Sequence, residues 1–134
     1  MKDKNNVNTA LDAILNSRCT NRNICPVKDI MASYTDKWSM YAILLLGQKK
    51  TLRFNQLRSL ITGISQRMLT VTLRSLEKDG IVARFISPEI PQKIEYSLTE
   101  LGQGLFHQLV GLATWAKENV ERIMKAREKL ERSF

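Results

Sequence analysis

The sequence predicts a mainly α-helical domain with a small β-hairpin, an α+β fold built mostly from helices. Three observations carry this prediction. Two amphipathic segments flank a short Gly-containing turn, two strand-like segments follow them, and a long helical segment ends the chain. The length of 134 residues and the 43% apolar composition suit one folded domain with an apolar core. We therefore expect a single domain over residues 1–134.

The N-terminal part predicts short helices. Residues 1–8 are polar, and we expect them to fray, with Asn8 or Thr9 capping a first helix. Pro26 suits the start of a second helix, because proline is favoured at the first helical position. We assign residues 1–24 to an N-terminal arm and helix.

A strongly apolar segment then predicts the central core helix. Thr35 or Asp36 can cap it, and Gly47 is expected to end it. Its apolar residues recur at helical spacing: Trp38, Ala42, Leu45 and Leu46.

The next segment predicts two helices joined by a turn. The first covers about residues 53–61, and Gly63 permits the left-handed backbone that the turn needs. Ser65 can cap the second helix, which Gly80 ends. On a helical wheel, one side of the second helix is expected to face the core: Leu69, Thr72, Leu73 and Leu76.

Residues 81–86 and 93–98 are rich in β-forming residues and predict a hairpin. The two prolines in the loop between them oppose continued hydrogen bonding, so we expect the loop to protrude. A helix–turn–helix followed by such a hairpin predicts a winged helix-turn-helix, here over residues 25–98.

Thr99 can cap a long C-terminal segment, residues 99–134, predicted as one or more helices. Gly102, Gly104 and Gly111 should weaken it locally, which predicts a bend, a break or close packing against another helix. Its apolar positions exceed what a small domain needs, and we expect it to serve dimerisation. The alternative is that these positions belong to the chain's own core.

Charge is concentrated where the two helices are predicted. The net charge is +8, and residues 49–86 hold eight Lys or Arg against two Asp or Glu. This segment therefore accounts for +6 of the total. Concentrated positive charge suits a polyanion such as DNA, because neutralising phosphates releases counterions. The alternative is a basic protein whose charges cluster by chance.

The outer side of the second helix has the chemistry of a major-groove reader. Arginine can bond guanine in a bidentate manner, glutamine can bond adenine, and apolar groups or Thr methyls can contact the thymine methyl. The alternative is an ordinary solvent-facing helix surface. The predicted DNA-contacting residues are Ser65, Gln66, Arg67, Thr70, Val71, Arg74, Lys78, Arg84 and Lys93.

Several other functions find no support in the sequence. No metal cluster, phosphate-binding glycine loop or catalytic constellation is present, so we predict no enzyme activity, no metal and no cofactor. His107 has no partner by spacing and is expected at a helix surface or interface. No apolar run of about 18 residues and no secretory signal are found, so we predict a cytoplasmic protein without a membrane partner.

The chain resembles HxlR-type transcriptional regulators, winged helix-turn-helix proteins related in architecture to MarR-type regulators. The match covers about residues 25–116. It departs from the family at Thr35-Asp36, where two glycines are common, and at Val71, where glutamine is common, so no base preference is carried over. The segments that carry it are Cys25-Pro26, Lys37-Trp38, LRFNQLR (52–58), GISQRMLT (63–70), LRSLEKDGIV (73–82) and IEYSLTELG (94–102).

The resemblance implies a homodimer, held by its N- and C-terminal helices, that binds an inverted-repeat operator in double-stranded DNA. It also implies a sensor, since some family members detect electrophiles or oxidants through a cysteine before a proline. Cys25 has that position, and a helix N-terminus favours the thiolate. A free cysteine is, alternatively, often a small buried apolar residue. Cys19 could serve as a resolving thiol or as an intersubunit disulfide partner.

These observations together predict a DNA-binding transcriptional regulator, a repressor acting as a homodimer and responsive to a small electrophile or oxidant. The alternative function is a winged-helix module that binds another protein through its basic surface, without specific DNA binding.

Overall fold

The computed structural model of the chain describes residues 2–15 and 26–133. The predicted fold class is confirmed: helices dominate, and the described strands form one small antiparallel sheet. The elements in chain order are α1 (Lys2–Leu15), α2 (Pro26–Tyr34), α3 (Lys37–Lys49), β1 (Thr51–Arg53), α4 (Phe54–Leu60), α5 (Gln66–Lys78), β2 (Val82–Ile86), β3 (Ile94–Leu98) and α6 (Glu100–Arg132).

The N-terminal helix is longer than predicted. It begins at Lys2, so Asn8 and Thr9 lie inside it and do not cap it. No Gly or Pro interrupts residues 2–15, which explains why the helix can extend through this polar stretch. The predicted start of α2 at Pro26 is confirmed.

Helix α3 is the central core element, as predicted. Asp36 caps it, because its carboxylate accepts a hydrogen bond from the backbone N–H of Ser39 at 3.0 Å. The predicted end at Gly47 is wrong, since α3 continues to Lys49. A Cβ at Gly47 would lie 2.2 Å from the Phe106 ring of α6. This glycine therefore allows two helices to approach closely.

The helix–turn–helix unit consists of α4 and α5, with the turn at residues 61–65. Gly63 has a φ of +87°, in the left-handed region that favours glycine. The expectation about Gly63 is confirmed, and Ile64, which is 6% exposed, packs under the turn. Gly80, with a φ of +75°, follows the end of α5 as predicted.

The sheet has three strands in the order β1-β3-β2, one more than predicted. The additional strand, β1, pairs with β3 and places Leu52 opposite the buried Tyr96. The predicted hairpin is formed by β2 and β3, whose register pairs Val82 with Leu98 and Ile86 with Ile94. The sheet thus joins the end of α3 to the base of the hairpin.

Helix α6 is continuous over 33 residues, so the predicted break is not found. Close packing is found at Gly102, where a Cβ would lie 2.1 Å from the carbonyl oxygen of Ile81, but the neighbour is the segment between α5 and β2 and not, as predicted, another helix. A Cβ at Gly104 or Gly111 would meet no atom within 4 Å. None of the helices in the described ranges is long and apolar enough to cross a membrane.

Candidate nucleic-acid interface

One side of helix α5 is buried in the hydrophobic core. Leu69, Leu73 and Leu76 are at most 1% exposed, and Thr72 is also buried. Ser65 fixes the start of the helix, since its hydroxyl oxygen accepts a hydrogen bond from the backbone N–H of Met68 at 3.0 Å. The predicted core side and cap of this helix are both confirmed.

The opposite side of α5 faces solvent, and we call it the reading face. It is defined by Gln66, Arg67, Val71, Arg74 and Lys78, and all five are exposed. Arg67 and Arg74 are seven residues apart, which places them two turns apart, about 10 Å along the axis. Two arginines at this spacing on one side of a helix can both enter one major groove.

The reading face carries free positive charge. Within residues 2–15 and 26–133, no carboxylate forms an ion pair with Arg67, Arg74 or Lys78. Among the flanking residues, Thr70 is half-buried and its hydroxyl donates to the carbonyl of Gln66 at 2.9 Å. Its hydroxyl proton is therefore already used, which leaves the methyl group and the acceptor lone pairs of the oxygen for a ligand.

The hairpin forms a wing beside α5. Arg84 in β2 lies 3.7 Å from the Glu77 carboxylate of α5, and both side chains are 40% exposed. Such a solvated pair contributes at most about 1 kcal/mol, so a phosphate could displace the carboxylate. Lys93 is exposed directly before β3, at the end of the wing loop.

The N-terminus of α4 adds groups that the sequence analysis did not select. Arg53, Asn55 and Gln56 line a cleft against Pro91 and Lys93 of the wing. The Gln56 side chain accepts from the backbone N–H of Arg53 at 2.9 Å, which fixes the start of α4. The sequence could indicate that α4 starts here. It could not place this start beside the wing, because that position depends on the pairing of β1 with β3.

A hydrogen bond ties α2 to the end of α5. The Tyr34 hydroxyl donates to the Asp79 carboxylate at 2.7 Å, and Asp79 is the C-terminal cap of α5. Tyr34 is 7% exposed. Burial, the hydrogen bond to Asp79 and the charge of that carboxylate together raise the pKa of the Tyr34 hydroxyl from 10.0 to about 12.

Large apolar side chains are exposed outside the winged unit. Ile30 and Met31 of α2 are 54% and 56% exposed, and Trp115 of α6 is 56% exposed. The alternative, that the apolar positions of α6 belong to the chain's own core, is therefore wrong for the distal part of this helix. The other exposed apolar side chains of this helix are Leu101, Val110, Leu112, Val120, Met124 and Leu130, with Ile123 half-buried.

Other candidate residues fall outside this interface. Cys19 and Cys25 lie outside the described residues. His107 is exposed on α6, with its ring 5.5 Å from the Phe106 ring. In the part of the chain that the structure describes, no three His, Cys, Asp or Glu side chains are grouped so that they could hold a metal ion.

Comparison with known proteins agrees with this geometry. The HTH-type transcriptional regulator YtfH of Escherichia coli is 34% identical over 104 residues, which cover 78% of this chain and 82% of that protein. The HTH-type transcriptional regulator YdeP of Bacillus subtilis is 39% identical over 102 residues, which cover 75% of this chain and 78% of that protein.

Among solved structures, the redox regulator HypR in its reduced form superimposes with a TM-score of 0.69 and 35% identity, covering 75% of this chain and 98% of that chain. The HxlR-like helix-turn-helix family matches residues 34–124, a range that contains the elements from α3 to β3 and most of α6. The chain therefore belongs to the HxlR-like helix-turn-helix family and is a transcriptional regulator of the helix-turn-helix type.

Proposed function

We propose that the protein binds double-stranded DNA sequence-specifically through the reading face of α5 and controls transcription from the bound operator. The observation that carries this proposal is that Arg67 and Arg74 are exposed, with no ion-pair partner among the described residues, on a helix whose other side is buried. Gln66 and Arg67, near the start of α5, are placed for base edges, while Arg74 and Lys78 are placed for phosphates or for bases further along.

Phosphate contacts are proposed around this face. The Ser65 hydroxyl oxygen accepts from Met68, which leaves the Ser65 O–H proton free to donate to a phosphate at the N-terminus of α5. Arg84 and Lys93 supply positive charge from the wing. Val71, which is 55% exposed, offers an apolar contact to a thymine methyl.

The test is selection of bound duplexes from a random pool, followed by affinity measurements on the selected site. Arg67→Ala and Arg74→Ala should each weaken specific binding by about 1–3 kcal/mol where a bidentate base contact is lost. Ser59→Ala, an exposed change on α4, serves as the control and should leave affinity unchanged. Full affinity in the Arg67→Ala, Arg74→Ala double variant would exclude the reading face.

A docking module for an acidic protein is the rival function, and it uses the same basic surface. Salt weakens both kinds of complex, so salt dependence does not separate them. Competition between the selected duplex and random duplex at fixed salt does separate them, because a protein-docking module should not distinguish the two DNAs.

We further propose that the protein is a homodimer that represses from an inverted repeat. The exposed apolar side chains of α2 and α6 support this, since large apolar side chains left exposed in such number are typical of an interaction site. Two copies of α5 would then read half-sites one turn of DNA apart, about 34 Å. Sedimentation at several concentrations tests the assembly, and Trp115→Arg should shift it toward the monomer.

Sensing of oxidants or electrophiles through Cys25 is a separate proposal. Its support is the position of this residue directly before the proline that starts α2, together with the similarity to HypR, which is described as a redox regulator. Helix α2 contacts the end of α5 through Tyr34 and Asp79, which offers a route from the thiol to the reading face. Cys25→Ser should abolish the release of DNA by diamide, and unchanged release would exclude Cys25.

A further inference from the structure

The tip of the wing carries the most exposed large apolar side chain of the described residues. Ile90 is 97% exposed, and Pro88 and Pro91 flank it closely. The loop below the tip is ordered by two hydrogen bonds, from the backbone N–H of Ser87 to the carbonyl of Lys93 at 2.8 Å and from the N–H of Glu89 to the Ser87 hydroxyl at 3.3 Å. Ile90 is thus presented on a defined support.

The register of the hairpin shows which side of the wing leads to this tip. Arg84 pairs with Tyr96 and Ile86 pairs with Ile94, and the two pairs share one side of the sheet because side chains alternate along a strand. Tyr96 is buried, and Arg84 reaches Glu77 of α5, so this side faces the helices. Ile86 and Ile94, 44% and 36% exposed, therefore extend an apolar path from the core toward the tip.

The opposite side of the wing provides a contrast. Phe85 pairs with Glu95, lies on the side away from the helices, and is 62% exposed. A substitution at Phe85 therefore removes a comparable exposed apolar side chain from the wing. It leaves Ile86, Ile94 and Ile90 unchanged.

An apolar tip beside a major-groove helix has a specific use in DNA recognition. Proteins that enter the minor groove insert Ile, Leu, Phe, Met or Pro between base steps, and the step partly unstacks and the duplex bends. Pyrimidine–purine steps deform with the least energy, so such a wedge selects sequence without hydrogen bonds to bases.

We propose that Ile90 is an apolar wedge that enters the minor groove next to the site read by α5 and bends the operator at a flexible base step. The inference rests on the proposed DNA binding. Arg84 lies on β2 and Lys93 directly precedes β3, below the tip, where they can contact the phosphates that border the groove. Glu89 places a carboxylate beside the wedge, and its repulsion by phosphate limits how tightly the wing binds.

The experiment uses a duplex that the wild-type protein selects, with a fluorescent label at each end. It measures the affinity of the protein for this duplex, and the resonance energy transfer between the two ends reports the bend. The wild-type complex should show a bend of about 20° or more at each wing. Ile90→Ser should straighten the duplex and weaken binding roughly tenfold, within the range for one mismatched base pair. Ile90→Leu should retain the bend, Phe85→Ser should leave bend and affinity unchanged, and Glu89→Gln should tighten binding.

Replacing the flexible step by a stiff A-tract gives a second readout. The A-tract should weaken wild-type binding but leave binding by Ile90→Ser unaffected, because only the wedge needs the step to deform. A bend and an affinity that do not differ between wild type, Ile90→Ser and Phe85→Ser would overturn the wedge while DNA binding stands. Failure of the wild-type protein to select any duplex would overturn the proposed function, and the wedge with it.

Discussion

Removal of the Tyr34 hydroxyl tests the bond that ties α2 to the end of α5. The hydroxyl donates to the Asp79 carboxylate at 2.7 Å, and a hydrogen bond to a charged group contributes about 1.5–3 kcal/mol. Asp79 is exposed and can be solvated when the hydroxyl is absent, which favours the lower end of that range. Tyr34→Phe should therefore reduce the free energy of unfolding at pH 7 by about 1–2 kcal/mol.

The pH dependence of this loss follows from the pKa of Tyr34. Because folding raises that pKa from 10.0 to about 12, the stabilisation is fully present below pH 10 and declines as the pH rises toward 12. At pH 11 the unfolded tyrosine is mostly ionised and the folded one is not, so the wild type should lose about 1 kcal/mol relative to Tyr34→Phe.

Urea denaturation of both proteins at pH 7, 9, 10 and 11 measures the difference directly. All other residues are the same in the two proteins, so their effect on stability cancels in the comparison. Equal stability of the two proteins at pH 7, or a difference that stays constant from pH 9 to pH 11, would refute the reasoning about the Tyr34–Asp79 bond.

Two further substitutions test the packing. Leu73→Ala should lower the free energy of unfolding by about 2–5 kcal/mol, since this side chain is 1% exposed. Val71→Ala on the reading face should change it by less than about 1 kcal/mol. Equal losses of the two variants in urea denaturation would contradict the claim that Leu73 faces the core and Val71 faces solvent. Gly102→Ala should lower the melting temperature, because the new Cβ would meet the Ile81 carbonyl oxygen. Gly104→Ala, whose Cβ would have no atom within 4 Å, should leave the melting temperature unchanged or raise it. An unchanged melting temperature for Gly102→Ala would contradict the close approach of Gly102 to Ile81.

The helix-turn-helix unit was predictable because its signals are local. Ser65 and Gly80 mark the two ends of α5, and the leucines between them recur at helical spacing on one side. Gly63 marks the turn for the same reason. The outward direction of Arg67 and Arg74 then follows from the wheel alone, since one side of a helix must face the core.

The features that were missed depend on contacts between distant segments. Gly47 gave a local signal for a helix end, but its role is to accept the Phe106 ring, which lies 59 residues later in the chain. Strand β1 has three residues, too few for an alternation pattern, and it exists through pairing with β3. Periodicity likewise marked the apolar positions of α6, but it could not show that Trp115 is exposed.

The most direct test of the account is the affinity of the Arg67→Ala, Arg74→Ala double variant for the duplex that the wild-type protein selects, with thermal melting as the check on folding. We expect a folded protein that binds the selected duplex no better than random duplex at the same salt concentration. A folded double variant that still prefers the selected duplex as strongly as the wild type does would contradict the claim that α5 reads the operator.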